Sequence, residues 1–190
     1  MELHNLKMES KKISRPIKSF TSKFKQNVEI KTEKQISMQN NMNHPMLIAL
    51  EQAKLAFDEE EVPVGAVITV SKTGKIIAKA HNQVRQLNDP TAHAEILAIR
   101  SASNSIGNSR LVGFNLFVTL EPCAMCAYAI SLARLEKLVF GAYDLKNGGV
   151  EHGSRVFSNL ACNHVPEIIG GVDETLASNL LKEFFQLKRR

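Results

Sequence analysis

Two short stretches of this sequence carry metal-binding side chains, and together they constrain the fold more than any other feature. Residues 89–95 read Asp-Pro-Thr-Ala-His-Ala-Glu and supply His93 and Glu95. Residues 121–126 read Glu-Pro-Cys-Ala-Met-Cys and supply Cys123 and Cys126. One imidazole and two thiols suit a catalytic zinc, which typically takes three protein ligands and leaves a fourth position to water. The fold must therefore bring both stretches to one ion, with Glu95 placed to handle the protons of that water.

Each stretch alone has other interpretations. A C-x-x-C pair is typical of half a structural zinc site or of a redox pair. A structural site needs a fourth ligand at similar spacing, but the remaining cysteine, Cys162, stands alone, and the chain contains no tryptophan to suggest a thioredoxin-like context. The combined H-x-E…P-C-x-x-C pattern, with Pro122 before the first cysteine, is that of zinc-dependent nucleobase deaminases and predicts a catalytic zinc.

Composition indicates the class of protein and its compartment. A chain of 190 residues with 44% hydrophobic content is long enough for one α/β core. Three cysteines, two of them assigned to metal, leave no disulfide framework, so a reducing cytoplasm is the expected compartment. No apolar run approaches the length of a membrane span, and we expect no membrane partner.

The positive charge is concentrated in residues 1–42. This segment holds nine of the 24 basic and four of the 19 acidic residues, so the remainder of the chain is neutral. A basic arm that touches RNA or a membrane is one interpretation; a transit peptide is another, although one arginine and four glutamates argue against it. Composition favours a disordered extension, with Met42 as a suitable translation start. We predict an extension over 1–42 and a deaminase domain over 43–190.

Hydrophobic periodicity predicts alternating helices and strands after residue 43. Pro45 opens a helix that runs to about residue 59. Gly65, inside the first strand, indicates a close approach by a neighbouring backbone or ligand. Residues 101–113 resemble a loop, and Asp173 or Thr175 caps the last helix. Strands are predicted at residues 62–68, 75–80, 115–120, 138–142 and 167–169. The order predicts an α/β fold with a five-stranded mixed sheet and helices on both faces.

The metal-binding side chains are predicted to lie at helix starts. A helix opening near residue 91 or 92 places His93 and Glu95 in its first turn, where the helix dipole favours an ionised carboxylate. A second helix begins at Cys123, so Cys123 and Cys126 lie on one face and both sulfurs can reach one ion. A helix N-terminus also lowers the pKa of a thiol, which favours the thiolate that a metal requires.

Three runs of the sequence resemble the bacterial tRNA-specific adenosine deaminases. They are residues 61–67 (Glu-Val-Pro-Val-Gly-Ala-Val), residues 89–95 and residues 118–126, within a likeness that extends from about residue 46 to 190. The resemblance implies a three-layer α/β/α cytidine deaminase-like fold and a homodimer with one Zn²⁺ per subunit. It also implies hydrolytic deamination of adenosine to inosine at the wobble position, in the anticodon stem-loop of an arginine tRNA.

Site residues carry over from the resemblance by position. His93, Cys123 and Cys126 match the zinc ligands, and Glu95 matches the proton shuttle. The matching substrate-binding residues are Asn82, which would hold the flipped base, Val64, which would line the base pocket, and Asp144 and Phe184, which would hold the anticodon loop.

The C-terminal helix carries a pair of aromatic residues and ends in three basic ones. Adjacent helix positions point about 100° apart, so of Phe184 and Phe185 we expect one to pack inward and the other to be free. A free ring beside Lys188, Arg189 and Arg190 suits stacking on an unpaired base and neutralising its phosphates.

Two positions depart from the family, and two alternative functions stay open. His81 stands where a large aromatic residue such as tryptophan is expected, and the loop 148–153 differs. The first alternative is a deaminase of a free nucleobase or nucleoside, such as guanine or cytosine, which would not need the aromatic and basic C-terminal helix. The second is a catalytically idle RNA-binding subunit, against which the presence of Glu95 argues.

Overall fold

The computed structural model describes residues 44–189. The predicted extension over 1–42 lies outside the described residues, and the domain boundary stays a prediction. The helices are α1 (Pro45–Asp58), α2 (Ala94–Ile106), α3 (Ala124–Ala133) and α4 (Glu174–Lys188). The strands are β1 (Gly65–Val70), β2 (Ile76–His81), β3 (Phe114–Leu120), β4 (Lys137–Ala142) and β5 (Glu167–Ile169), with one turn of 3₁₀ helix at Val156–Ser158.

The strands form one mixed sheet in the order β2-β1-β3-β4-β5. β1 runs antiparallel to both of its neighbours, whereas β3, β4 and β5 run parallel to one another. The parallel connections pass through α3 and through the long segment between β4 and β5. The predicted five-stranded mixed sheet is confirmed.

Alternating side chains divide the core between the two faces of the sheet. Ala66 and Ile68 of β1 pack with α2 and α3 on one face. Val67, between them, packs with α1 on the other face. α4 lies on the α1 side, since the rings of Phe57 and Phe184 meet edge to face with centroids 5.8 Å apart. The layers are therefore helix, sheet and helix, as predicted.

Gly65 marks the tightest contact between a strand and a helix. A Cβ atom at this position would overlap the main chain of α1 at Ala49 and Ala53. The predicted close approach is confirmed, and the neighbour is backbone. Because β1 lies between β2 and β3, this contact fixes the distance between α1 and the antiparallel part of the sheet.

Two of the predicted boundaries differ from the structure by several residues. Residues 101–106 belong to α2, which ends at Gly107 in the left-handed conformation with a φ of 71°. Ala102 is buried while the polar residues around it face outward, so the stretch is an amphipathic helix end that resembles a loop in composition. β1 begins at Gly65 and not at Val62, because Pro63 lacks an N–H and the Val64 N–H donates to Val62 O at 2.7 Å in a tight turn.

Within residues 44–189, no helix is both long and apolar enough to cross a membrane.

Candidate active site

The two metal-binding stretches meet at the N-termini of α2 and α3. His93 is the N-cap of α2, Cys123 is the N-cap of α3, and Cys126 lies in the first turn of α3. The predicted start of α2 at residue 91 or 92 was therefore early, since helical residues begin at Ala94. Residues 89–92 instead form a turn in which Thr91 donates its N–H and hydroxyl to the carboxylate of Asp89, at 2.8 and 2.7 Å.

The separations of the three side chains fit a tetrahedral zinc. His93 Nδ1 lies 3.5 Å from Cys126 Sγ and 3.7 Å from Cys123 Sγ, and all three ligand atoms lie within 4.8 Å of one another. Zinc–sulfur and zinc–nitrogen bonds of about 2.3 and 2.0 Å at a tetrahedral angle put sulfur and nitrogen about 3.5 Å apart. The donor set and its spacing therefore suit one Zn²⁺, with Nδ1 as the imidazole ligand.

The two thiols are electrostatically unequal before a metal binds. A hydrogen bond from Cys126 lowers the pKa of Cys123 to about 4, with a further contribution from His93. The same contact, together with burial, raises the pKa of Cys126. Cys123 would thus meet a cation as a thiolate, whereas Cys126 would have to lose its proton to serve as the second sulfur ligand.

Glu95 lies at the floor of the same site without belonging to the ligand set. It is the second residue of α2, and only 4% of its surface is exposed. Burial raises the pKa of its carboxyl group above the ordinary value. A carboxylate with raised proton affinity beside a metal-bound water is suited to accept a proton and return it.

A cavity of about 1150 Å³ opens from this floor to the surface. His93, Glu95 and Cys123 line it, together with Val64 and Asn82. Asp144 and Phe184 line it too. Apart from Cys126, which is fully buried, all the site residues predicted from the sequence therefore border one cavity.

Asn82 is fixed by the helix that carries the metal ligand. Its Oδ1 accepts the N–H of Ala94 at 2.8 Å, and the residue is 6% exposed. Because a main-chain N–H must meet an oxygen, the assignment of the amide is settled, and the NH₂ group is what Asn82 offers to a ligand. Val64 is buried beside it and its main-chain oxygen accepts the Asn82 N–H at 3.1 Å.

The pair Phe184 and Phe185 behaves as predicted from helix geometry. Phe184 is buried against Phe57, while Phe185 is 44% exposed. Of the two, Phe185 offers more ring surface to a ligand, and the assignment of RNA contact to Phe184 stays a prediction. The carboxylate of Asp144 stabilises a turn in its own loop, where it accepts the N–H groups of Lys146 and Asn147 at 3.0 and 2.8 Å.

Two buried glutamates that support the cavity walls have no role in the sequence-based prediction. The carboxylate of Glu121 accepts the N–H groups of Asp144, Val150, Glu151 and His152, at 2.9 to 3.3 Å. Burial would raise the pKa of Glu121, but these donors and the His152 ring outweigh it and lower that pKa. The loop 144–152 is thereby tied to the end of β3, beside Cys123.

The second glutamate, Glu61, supports the opposite wall. Its carboxylate accepts the N–H groups of Arg85 and Gln86 at 2.7 and 2.9 Å. The sequence signal available for both residues was an acidic residue in an otherwise apolar run. Glu121 directly follows β3, and Glu61 shortly precedes β1.

The two departures from the family each place a histidine against a glutamate. His81 Nε2 lies 2.9 Å from Glu59 Oε2, which joins the end of β2 to the end of α1. His152, in the loop 148–153, places Nδ1 2.9 Å from Glu121 Oε2. Both histidines therefore hold wall segments in place.

Comparison with known proteins agrees with this geometry. Residues 39–142 match the family described as the cytidine and deoxycytidylate deaminase zinc-binding region. The tRNA-specific adenosine deaminase of Agrobacterium fabrum is 48% identical over 146 residues, covering 77% of this chain and 95% of that protein. The enzyme of the same name from Rickettsia typhi is 50% identical over 141 residues, covering 74% and 95%.

The chain belongs to this deaminase family, in the branch of the tRNA-specific adenosine deaminases. Its cofactor is accordingly zinc, which the grouping of His93, Cys123 and Cys126 fits. A solved structure from studies of A-to-I editing by tRNA:A34 deaminases at the wobble position matches with a TM-score of 0.71 at 48% identity. That match covers 73% of this deaminase chain and 99% of the other.

A more distant relative shares only the fold. A structure of the guanine deaminase from Nitrosomonas europaea matches with a TM-score of 0.65 at 23% identity, covering 74% of this chain and 82% of that one.

Proposed function

We propose that this deaminase converts adenosine to inosine by hydrolysis at the wobble position of tRNA, with an arginine tRNA as substrate. The observation that carries the proposal is a His/Cys/Cys ligand set and a buried glutamate at the floor of an open cavity. The near-complete coverage of relatives named tRNA-specific adenosine deaminase supports adenosine in tRNA as the substrate.

The roles of the chain's own residues follow from their positions. His93 Nδ1 and the thiolates of Cys123 and Cys126 would hold the zinc. A bound Zn²⁺ lowers the pKa of a coordinated water to about 7 and so supplies the nucleophile at neutral pH. Glu95 accepts a proton from that water and delivers it to N1 of adenine. The water oxygen adds to C6 as N1 is protonated. Glu95 then takes the remaining proton of that oxygen and passes it to the amino group, the C6–N bond breaks, and ammonia leaves while the oxygen stays on C6 as the carbonyl of inosine.

Substrate residues surround the base. The NH₂ group of Asn82 donates to an acceptor of the purine ring, because its oxygen is engaged by Ala94. Val64 supplies apolar contact. Asp144, Phe184 and Phe185 contact the anticodon loop around the flipped nucleotide. An unpaired loop nucleotide suits this open cavity, since extruding a base from a duplex costs unpairing energy.

The proposal includes a homodimer in the cytoplasm. Leu132 on α3 is 65% exposed, and it lies beside a groove between α2 and α3 lined in part by Ile96, Ile99 and Ala129. A second copy of this chain would cover that apolar surface. Light scattering of the wild type and of Leu132→Asp tests it: a dimer mass that falls to the monomer mass in the variant is expected, and a monomeric wild type contradicts it.

The substrate is tested by comparing deamination of an arginine tRNA anticodon stem-loop with that of free adenosine, cytosine and guanine. We expect inosine in the stem-loop and no turnover of the free compounds. Efficient turnover of a free base, with none of the stem-loop, would instead identify a nucleobase deaminase.

A further inference from the structure

Three charged side chains meet at the mouth of the cavity and join two of its walls. Glu60 Oε2 accepts hydrogen bonds from Lys188 Nζ at 3.1 Å and from Arg85 Nη1 at 3.3 Å. Arg85 Nη1 also donates to the main-chain oxygen of Glu60 at 3.1 Å. Lys188 ends α4, and Arg85 belongs to the segment that follows β2. All three residues line the cavity whose floor holds the metal ligands.

The cluster is poorly placed to stabilise the fold. The side chains of Glu60, Arg85 and Lys188 are 68%, 65% and 42% exposed, and water screens ion pairs at such positions. The hydrogen bonds of Lys188 and then of Arg85 lower the pKa of Glu60. Glu60 therefore stays ionised between two cations while retaining access to water.

We propose that Lys188 and Arg85 bind a backbone phosphate of the RNA, and that Glu60 occupies the place of that phosphate until the substrate arrives. A carboxylate and a phosphodiester are both oxyanions that accept charge-assisted hydrogen bonds from lysine and arginine. The phosphate takes over both cations, and Glu60 turns out into water. The inference rests on the proposed function, because it assigns part of the RNA surface of the same site.

The exposed ring of Phe185 supports the placement of a phosphate beside Lys188. Phe185 precedes Lys188 by three residues, so both lie on the same side of α4, and its ring is exposed beside the cavity. The Lys188 ammonium also lies 5.6 Å from the centroid of Phe184, which holds it against the cavity wall. A nucleotide stacked on Phe185 would place its backbone within reach of Lys188.

Lys188 and Arg85 favour ligands that carry a phosphate, and competition from the Glu60 carboxylate moderates that preference. RNA must displace Glu60, so the carboxylate weakens RNA binding, but it also keeps the two cations oriented toward the mouth. Free adenosine has no phosphate and leaves the cluster intact. Glu60 is thus a residue that tunes affinity for RNA without touching the reacting atoms.

Binding of a labelled anticodon stem-loop tests this by a matched pair of substitutions. Glu60→Gln keeps the size of the side chain and releases both cations; we expect the Kd to fall by about three- to tenfold, on the scale of two exposed ion pairs. Asp58→Asn is the control, because it removes the same charge at the end of α1 from a pair with Lys54 that lies away from the cavity. We expect Asp58→Asn to leave the Kd unchanged.

The cations are tested by the same measurement over a range of salt concentrations. Lys188→Ala should weaken binding and reduce the salt slope by about one, as loss of one phosphate contact does, whereas Lys54→Ala should not. In the Arg85→Ala, Lys188→Ala double variant, Glu60→Gln should no longer tighten binding. Persistence of the effect in that background would show a general charge effect and overturn the inference.

The outcomes separate this inference from the proposed function. Equal Kd values for the wild type and Glu60→Gln, in a protein that deaminates the stem-loop, overturn the phosphate site alone. A shifted Kd without deamination supports the phosphate site and contradicts the proposed reaction.

Discussion

Glu95 is the residue on which the proposed chemistry depends most. It is buried at the floor of the cavity, beside the proposed ligands His93 and Cys123. Replacing it by Gln preserves size and removes the ability to carry a proton. We expect turnover of the stem-loop to fall by at least about 10²-fold, the scale of general acid–base catalysis, with one zinc per chain retained. Turnover near the wild-type rate in a zinc-loaded Glu95→Gln protein would assign the proton transfers to another group.

Glu121 is predicted to act through the loop 144–152. Glu121→Gln replaces one carboxylate oxygen by an NH₂ group that faces N–H donors, so at least one hydrogen bond becomes a clash between donors. We expect the free energy of unfolding to fall by about 1–3 kcal/mol, and KM for tRNA to rise more than kcat falls. Urea denaturation and steady-state kinetics measure both effects.

The control for this prediction is Glu151→Gln, on the exposed side of the same loop. Its stability and KM should stay close to those of the wild type. If Glu121→Gln and Glu151→Gln behave alike, the buried carboxylate does not organise the wall.

The sequence predicted the metal-binding residues and Glu95, but it did not predict the glutamate that holds the cavity wall. The grouping of His93, Glu95, Cys123 and Cys126 could be predicted because zinc chemistry demands these residue types at short spacings, and the structure brings the four residues together. Glu121 could not, since its partners are main-chain amides that follow it by 23 to 31 residues. Because almost any residue type can supply a main-chain N–H, the sequence does not reveal which residues donate to Glu121.

At the scale of elements, residue patterns located strands and helices better than they located ends. β5 was predicted at 167–169 and has these bounds. α2 was cut short because Ser101, Ser103 and Asn104 have weak helix propensity. Burial of Ala102 against the core overrides that propensity, and only the tertiary structure reveals the packing.

The contact between β1 and α1 gives a prediction for element packing. Gly65→Ala introduces a methyl group where the main chain of α1 leaves no room. We expect a loss of about 1–3 kcal/mol in the free energy of unfolding, the usual cost of overpacking, measured by urea denaturation.

Gly74→Ala is the comparison for that variant. Gly74 has a φ of 68° and open space around it, so its alanine variant carries only the left-handed backbone cost of about 1–2 kcal/mol. A Gly65→Ala protein as stable as the wild type would show that α1 moves away from the sheet without cost.

At the scale of the whole molecule, the order of elements and the mixed sheet were predictable from alternating hydrophobic patterns. The strand order β2-β1-β3-β4-β5 was not, because it depends on which edges pair in space. The side-chain pattern determines which residues of a strand are buried, but two buried strands of similar composition are interchangeable as neighbours.

Removal of residues 1–42 tests the predicted division of the chain. All five strands and four helices described here lie between residues 44 and 189, and the sequence after residue 42 carries no net charge. We therefore expect the melting temperature and the activity on tRNA to stay almost unchanged. A weaker affinity for tRNA with a smaller salt dependence would show that the basic residues of the segment contact phosphates.

The central claim is that this zinc site deaminates a wobble adenosine in tRNA, and mapping inosine in tRNA tests it most directly. Total tRNA is incubated with the zinc-loaded protein or with its Glu95→Gln variant, and inosine is located by sequencing. We predict inosine at the wobble position of an arginine tRNA with the wild type and none with the variant. Wild-type protein that leaves tRNA unchanged while releasing ammonia from free guanine or cytosine would contradict it.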